Sequence, residues 1–256
     1  VEIVIIKVEI ENFLSFDDKV TFSMLANRKR TSLSSHCMAL DSRRATLKMS
    51  AFYGANGAGK SNLFKAVGFL KRLVTQKHAP SRAEIERIRY ALKPTNEASP
   101  TRLAIHFRTR EGEVFSYGVT LDETGILEES LKSLTGLDLS PVFERRRDTF
   151  TFAEEPLAAI YEIILQWVKK NPFASLVTVN NDLPILADAR LAQARRFFQD
   201  DLQLVGVNTM VSASVARFRD EAPLRDFGNA LLTALDLGIR GFKPKTETLE
   251  VTHMQG

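Results

Sequence analysis

Three features of this 256-residue sequence predict an α/β fold with a mixed core sheet, an antiparallel β subdomain and a helical subdomain. A glycine-rich stretch, Gly54-Ala55-Asn56-Gly57-Ala58-Gly59-Lys60-Ser61, lies between a strand-like run and a helix-like run. Short alternating segments fill the middle of the chain, from Leu103 to Phe152. Beyond Leu157 the apolar residues recur at helical spacing.

Taken in order, Lys7 to Met24 reads as a β-hairpin. Ile6, Val8 and Ile10 alternate with polar residues, as do Val20, Phe22 and Met24, and Asn12 to Asp18 supplies the turn. Asn27 to Arg44, rich in Arg, Lys and Ser, reads as an exposed loop, with Arg28-Lys29-Arg30 as a solvated basic run. Leu47 to Tyr53 is expected as a short strand and Lys60 to Val74 as a helix carrying Leu63, Val67, Leu70 and Val74 on one face. Ser81-Arg82-Ala83-Glu84 has the spacing of a capping box and opens a charged helix to about Leu92. Strands follow at Leu103–Phe107, Val114–Val119, Ile126–Leu131, Val142–Arg145 and Thr149–Phe152, joined by turn residues such as Glu111-Gly112 and Asp122 to Gly125. Helices are expected over Leu157–Lys170, Ile185–Asp200 and Pro223–Leu237, a strand over Leu202–Val207, and a last hairpin over Ile239–Val251. Trp167, on the apolar stripe of its helix, reads as core filler.

The glycine-rich stretch fits the pattern G-x-x-x-x-G-K-[ST] at every required position. A strand entering a glycine turn that opens a helix aims backbone N–H groups, and the positive end of the helix dipole, at phosphate oxygens. Glycines allow left-handed turns and close approach of the backbone to the ligand. Gly54, Ala55, Asn56, Gly57, Ala58, Gly59, Lys60, Ser61 and Asn62 are therefore the candidate nucleotide-binding residues. Lys60 would reach the β/γ-phosphates, and the Ser61 hydroxyl would hold Mg2+. A chance match is expected in on the order of 1% of chains of this length, so the motif in this context predicts binding of a nucleoside triphosphate, with ATP and Mg2+ as cofactors.

Composition sets the outer bounds. With 44% hydrophobic and 26% charged residues, the chain has the make-up of an ordinary globular protein. No apolar run approaches the length of a membrane span, and Val1 to Ile6 is too short and too acidic for a signal peptide. A single cysteine, Cys37, excludes a disulfide scaffold and a cysteine-rich zinc site, and points to a reducing cytoplasm. His36, His78, His106 and His253 show no metal-ligand spacing. A net charge of +4 permits nucleic-acid contact without arguing for it.

An alternating strand followed by Asn-Phe-x-Ser-Phe (Val8–Phe16), placed ahead of Gly54–Leu63, resembles the ABC/SMC-like ATPases. These include RecF, the overcoming-lysogenization-defect proteins and the AAA-type ATPases of bacterial anti-phage and abortive-infection systems. Glu113–Leu131 and Asp236-Leu237-Gly238-Ile239 look most like the defence ATPases. The resemblance implies a P-loop NTPase of ABC/SMC-like type, with residues 1–95 as hairpin and nucleotide-binding core, 96–155 as antiparallel subdomain and 156–256 as helical region. It implies ATP-dependent pairing of heads in a homodimer or higher oligomer, control of an effector such as a nuclease, and a cytoplasmic setting, with nucleic acid left open as a partner and no membrane. The alternatives are a RecF-like repair ATPase and a scaffold that binds ATP without hydrolysing it.

In that group a signature loop from the opposing head and an Asp-Glu pair at the end of an apolar strand complete hydrolysis. Neither is found here: Glu128-Glu129, Asp200-Asp201 and Asp236 all lack the apolar run into Asp-Glu, and each reads as a solvated acid or helix cap. The catalytic residues are therefore unknown, and those elements are expected beyond Gly256. Gln76, at the end of the first helix, is not placed to sense the γ-phosphate, and Phe13 and Phe16 are read as adenine neighbours or as hairpin packing.

Overall fold

The structure is a computed structural model that describes all residues except 1, 28–33, 43, 77, 93–98, 136–137, 155, 179–187, 207–218, 236–237, 239–240, 242 and 244–256. The chain divides into two compact units, Val1–Leu204 and Val205–Gly256.

The first unit is built on a seven-stranded antiparallel sheet in the order β2-β1-β5-β6-β7-β8-β9. Its strands are β1 (Val4–Glu11), β2 (Val20–Ser23), β5 (Thr101–Arg108), β6 (Val114–Asp122), β7 (Gly125–Thr135), β8 (Asp138–Arg146) and β9 (Thr149–Phe152). Alternation decides which face is covered. Ile6, Val8 and Ile10 of β1, Leu103, Ile105 and Phe107 of β5, and Phe115, Tyr117, Val119 and Leu121 of β6 all turn inward. Their neighbours Lys7, Glu9, Glu11, Arg102, Ala104 and His106 lie on the opposite face. The expected hairpin and all five middle strands are present, most of them longer than expected, and the hairpin belongs to the same sheet because β1 pairs with β5.

Helix α1 (Lys60–Thr75) buries Leu63, Ala66, Val67, Phe69, Leu70, Leu73 and Val74 in the core formed with the inner sheet face. Its far end is tied down where Thr178 Oγ1 donates to the carbonyls of Leu73 (2.8 Å) and Val74 (3.0 Å). Helix α2 (Arg82–Ile88) starts with both halves of the capping box: Ser81 Oγ accepts from Glu84 N–H, and the Glu84 carboxylate accepts from Ser81 N–H. It stops at Ile88, short of the expected Leu92, because Arg89 takes an extended conformation. Helix α3 (Ala158–Lys170) buries Ile164 and Val168, while Ile163, expected on the buried stripe, is about half exposed; Trp167 packs against the core as filler.

A further helix spans Ala189–Arg196 and runs into a π-helical turn, Phe197–Asp201. The turn presses Phe197 flat on Phe107 (3.9 Å between ring centroids) and sets Phe198 edge-on to Phe107 and Tyr117. The described residues after it, Leu202–Gly206, form no strand, contrary to expectation.

The segment ahead of the glycine-rich loop departs most from expectation. Residues Ala45–Leu47 form β4, which pairs with β3 (Cys37–Ala39) in a separate two-stranded ribbon. Strand pairing ends there, and 48–54 is not a strand. Met49 and Tyr53 are largely exposed. A strand needs a paired neighbour to satisfy its N–H and C=O groups, and no strand among the described residues pairs with this run, although Phe52 packs edge-on to Phe22 of β2.

In the second unit, a helix spans Ala222–Ala234, with Pro223 in its first turn as expected. Gly238 has a left-handed φ of 73°. The hairpin expected over Ile239–Val251 lies almost wholly outside the described residues, as do Asp236 and His253.

Candidate functional site

All nine candidate residues, Gly54 to Asn62, fall in one continuous loop and the first turn of α1. Ala58 N–H donates to Ala55 O (3.2 Å) and closes a tight turn. Gly57 and Gly59 take φ values of 83° and 85°, a region costly for any residue with a Cβ. Gly59 is the N-cap of α1, so no side chain satisfies the helix's first N–H groups there. The N–H groups of Gly57, Gly59, Lys60 and Ser61 donate to no acceptor among the described residues. The first turn of α1 holds no acidic side chain. An unsatisfied, uncapped helix start beside left-handed glycines is ready to donate N–H hydrogen bonds to phosphate oxygens.

Lys60 bends back over the loop, and its Nζ donates to the carbonyls of Gly54 and Ala55, each at 2.7 Å. The charge thus sits above the turn and is held by weak neutral acceptors that a phosphate would replace with stronger, charge-assisted bonds. Ser61 is exposed. The Asn62 side chain bonds a residue outside the loop: its Nδ2 donates to Ser15 Oγ at 2.9 Å.

Ser15 lies at the tip of the β1–β2 hairpin and was not singled out in the sequence. Its only sequence signal is its place in Asn-Phe-Leu-Ser-Phe, 47 residues before Asn62. Phe13 and Phe16 of the same stretch are packing residues: Phe13 is buried edge-on to Phe69, and Phe16 packs edge-on to Phe22.

Of the acids considered in the sequence, the described ones, Glu128, Glu129, Asp200 and Asp201, make no hydrogen bond or ion pair with the loop. Glu129, on β7, is fully buried. Its Oε1 accepts from Tyr117 OH (2.9 Å) and Ser175 Oγ (2.5 Å), and its Oε2 from Leu176 N–H (3.0 Å). Directly opposite on β8, Arg145 places Nη1 3.6 Å from Glu129 Oε2 and donates to the carbonyls of Ala174 and Arg147. Burial lowers the Arg145 pKa, partly opposed by Glu129, whereas burial and then the Glu129 charge push the Tyr117 hydroxyl well up. Glu129 is therefore a buried clamp and not the solvated acid expected. Glu128, its neighbour, projects from the opposite sheet face beside Thr120 and Arg146. Asp201 pairs with Arg110 in the π-helical turn. Lys71 marks how far this turn is from the loop, since it donates to Leu202 O (2.5 Å) from a position about 16 Å along α1 from Lys60. Among the described residues, no group of His, Cys, Asp and Glu is placed to hold a metal ion by itself.

Among the described residues, the basic side chains on the outer sheet face, Lys19, Arg102, Lys132 and Arg146, are interspersed with Glu9, Glu11, Glu128 and Glu144. Arg44 pairs with Asp41, Arg145 is buried, and Arg28–Arg30 and Arg43 fall outside the described residues. No helix among the described residues is long and apolar enough to cross a membrane.

A large antiparallel sheet covered by helices, with a glycine loop opening α1, defines an α/β domain of the phosphate-loop class. Within that class, the chain belongs to the family described as "AAA domain, putative AbiEii toxin, Type IV TA system", whose profile matches residues 49–228, more than half of the chain. It is an AAA ATPase domain, in line with the resemblance at the level of the domain. No curated protein matches it. A solved structure described as "Structural biochemistry of ATP-driven dimerization and DNA stimulated activation of SMC ATPases" is similar at 18% identity, covering 78% of this chain and 99% of that one. The TM-score of that likeness is 0.29.

Proposed function

We propose that the chain is the ATP-binding head of an ATPase that acts in cytoplasmic anti-phage defence and controls an associated effector, a nuclease, through ATP-dependent dimerisation. The observation that carries the nucleotide part is the uncapped start of α1, with Gly59, Lys60 and Ser61 N–H groups unsatisfied and Lys60 Nζ folded over the turn. Gly54 to Asn62 form the site, with the backbone N–H groups and Lys60 on the β- and γ-phosphates. Ser61 fits as one Mg2+ ligand, since Mg2+ takes most of its other ligands from phosphate and water. The family's description as a putative AbiEii toxin of a type IV TA system supports the defence setting. The modest net charge of +4 and the dispersal of Arg28–Arg30, Arg43-Arg44 and Arg145–Arg147 along the sequence favour a protein partner over duplex DNA.

The test is the mass of the protein in solution, by light scattering, with and without Mg-ATP, for the wild type and Lys60→Ala. Association that requires both ATP and Lys60 supports the reading. A mass unchanged by ATP in the wild type contradicts the dimerisation.

A further inference from the structure

We infer that Ser15 is a positioning residue for the phosphate loop, holding Asn62 away from the N–H groups that a phosphate would use. The inference rests on the nucleotide-binding reading and deepens it.

The hairpin tip carrying Ser15 is held in a conformation that the local sequence does not favour. Asn12 N–H donates to Asp17 O, and Phe13 and Phe16 exchange backbone hydrogen bonds, leaving Leu14-Ser15 as a two-residue turn. Leu14 has φ of 51° and Asn12 of 49°, in the left-handed region that side chains disfavour. Such a conformation persists only where the surroundings over-determine it, and here they do. Leu14 N–H donates to Ile88 O (2.6 Å), and the buried Asn12 side chain donates to Ser99 O and accepts from Tyr90 N–H. Thr101 Oγ1 also donates to Asn12 O (2.8 Å).

The result is a hydroxyl delivered to one place. Ser15 Oγ accepts from Asn62 Nδ2 and lies so close to Gly59 that a Cβ there would come within 2.6 Å of it. Gly59 is the N-cap of α1, so Asn62 is the third helical residue. In a capping box, the side chain at this position reaches back and accepts from the N-cap backbone N–H. Were Asn62 free, its Oδ1 could turn onto Gly59 N–H and occupy a donor that the loop otherwise offers to phosphate. Ser15 engages the amide through its Nδ2 and prevents this. The expected loss of Ser15 is therefore a loss of nucleotide affinity, with little change in the fold, because Ser15 is exposed and Asn62 could form a local substitute bond.

The experiment is calorimetric titration with Mg-ATP, paired with nucleotide-free thermal melts. The variants are Ser15→Ala, Ser15→Thr, Asn62→Ala, the Ser15→Ala/Asn62→Ala pair, and Lys60→Ala as loop control. Ser15→Ala should weaken binding about tenfold, the scale of one hydrogen bond, with an unchanged melt. Ser15→Thr, which keeps the hydroxyl, should restore it. Removing Asn62 removes the competitor, so the double variant should bind like Asn62→Ala alone. If Ser15→Ala binds as the wild type while Lys60→Ala does not, the inference is wrong and the nucleotide site stands. An affinity loss that adds independently to that of Asn62→Ala, or that tracks a lowered melt, also overturns it. If Lys60→Ala binds like the wild type, the nucleotide reading fails and takes the inference with it.

Discussion

Replacing Glu129 by Ala should destabilise this protein severely without touching the phosphate loop. The carboxylate is fully buried and accepts three hydrogen bonds, from Tyr117, Ser175 and Leu176 N–H, while facing the buried Arg145 guanidinium. Truncation leaves an uncompensated buried charge, which costs about 3–5 kcal/mol when one partner of a buried pair is removed. It also strands donors that cost about 1–3 kcal/mol each if they find no other acceptor. These contributions overlap, since Arg145 keeps the carbonyls of Ala174 and Arg147, so about 4 kcal/mol is the expected loss. Against a total stability of about 5–15 kcal/mol, Glu129→Ala is marginal or unfolded at room temperature. Glu129→Gln keeps the shape and one acceptor oxygen, and should cost less, about 2 kcal/mol. The assay is urea unfolding followed by far-UV circular dichroism, with stability taken from the midpoint at constant slope. A loss below about 1 kcal/mol in Glu129→Ala would refute the clamp. So would a fully stable Glu129→Gln that has lost ATP turnover, which would make Glu129 a catalytic acid.

Two further predictions concern the sheet's outer face and α2. His106 titrates at about 4, below the ordinary 6.5, because burial and then the Lys7 charge disfavour the imidazolium more than Glu9 favours it. Its folded pKa is depressed, so its contribution is complete above about pH 6.5 and is lost as pH falls towards about 4, by on the order of 2–3 kcal/mol. Urea midpoints between pH 7 and pH 4.5 should therefore fall less steeply in His106→Gln than in the wild type, and parallel curves would contradict this. Ser81→Ala removes one half of the capping box and leaves Glu84 N–H without its acceptor, for a loss of about 1 kcal/mol by the same urea assay; no change would mean that the Ser81 hydroxyl does not contribute to holding α2.

What the sequence makes legible follows from how local each feature is. The phosphate loop and the capping box at Ser81 each lie within a few residues and depend on fixed spacing, so both can be read directly. The middle strands can be read because alternation shows each inward face without knowledge of its partner. Met49 to Tyr53 misleads for the opposite reason: its residues suit a strand, but strand formation depends on a neighbour, and the sequence does not show one. The Glu129 clamp is hidden because it joins β6, β7, β8 and the segment around Ser175, and because bulges shift the register on both sides of β7. A buried acid and a solvated acid look alike in a string of letters. Ser15 is hidden for a similar reason, since its meeting with Asn62 is made by the sheet that carries the hairpin.

The most direct test of the account is Mg-ATP affinity in Lys60→Ala against the wild type, by calorimetry, with a thermal melt of each protein without nucleotide. Lys60 supplies a charge over the loop through bonds to Gly54 and Ala55 carbonyls and buries no apolar contact in the core. The account predicts measurable binding by the wild type and a loss of about a hundredfold or more in the variant, with nearly unchanged melts. Equal affinity in the two proteins, with equal melts, would contradict it.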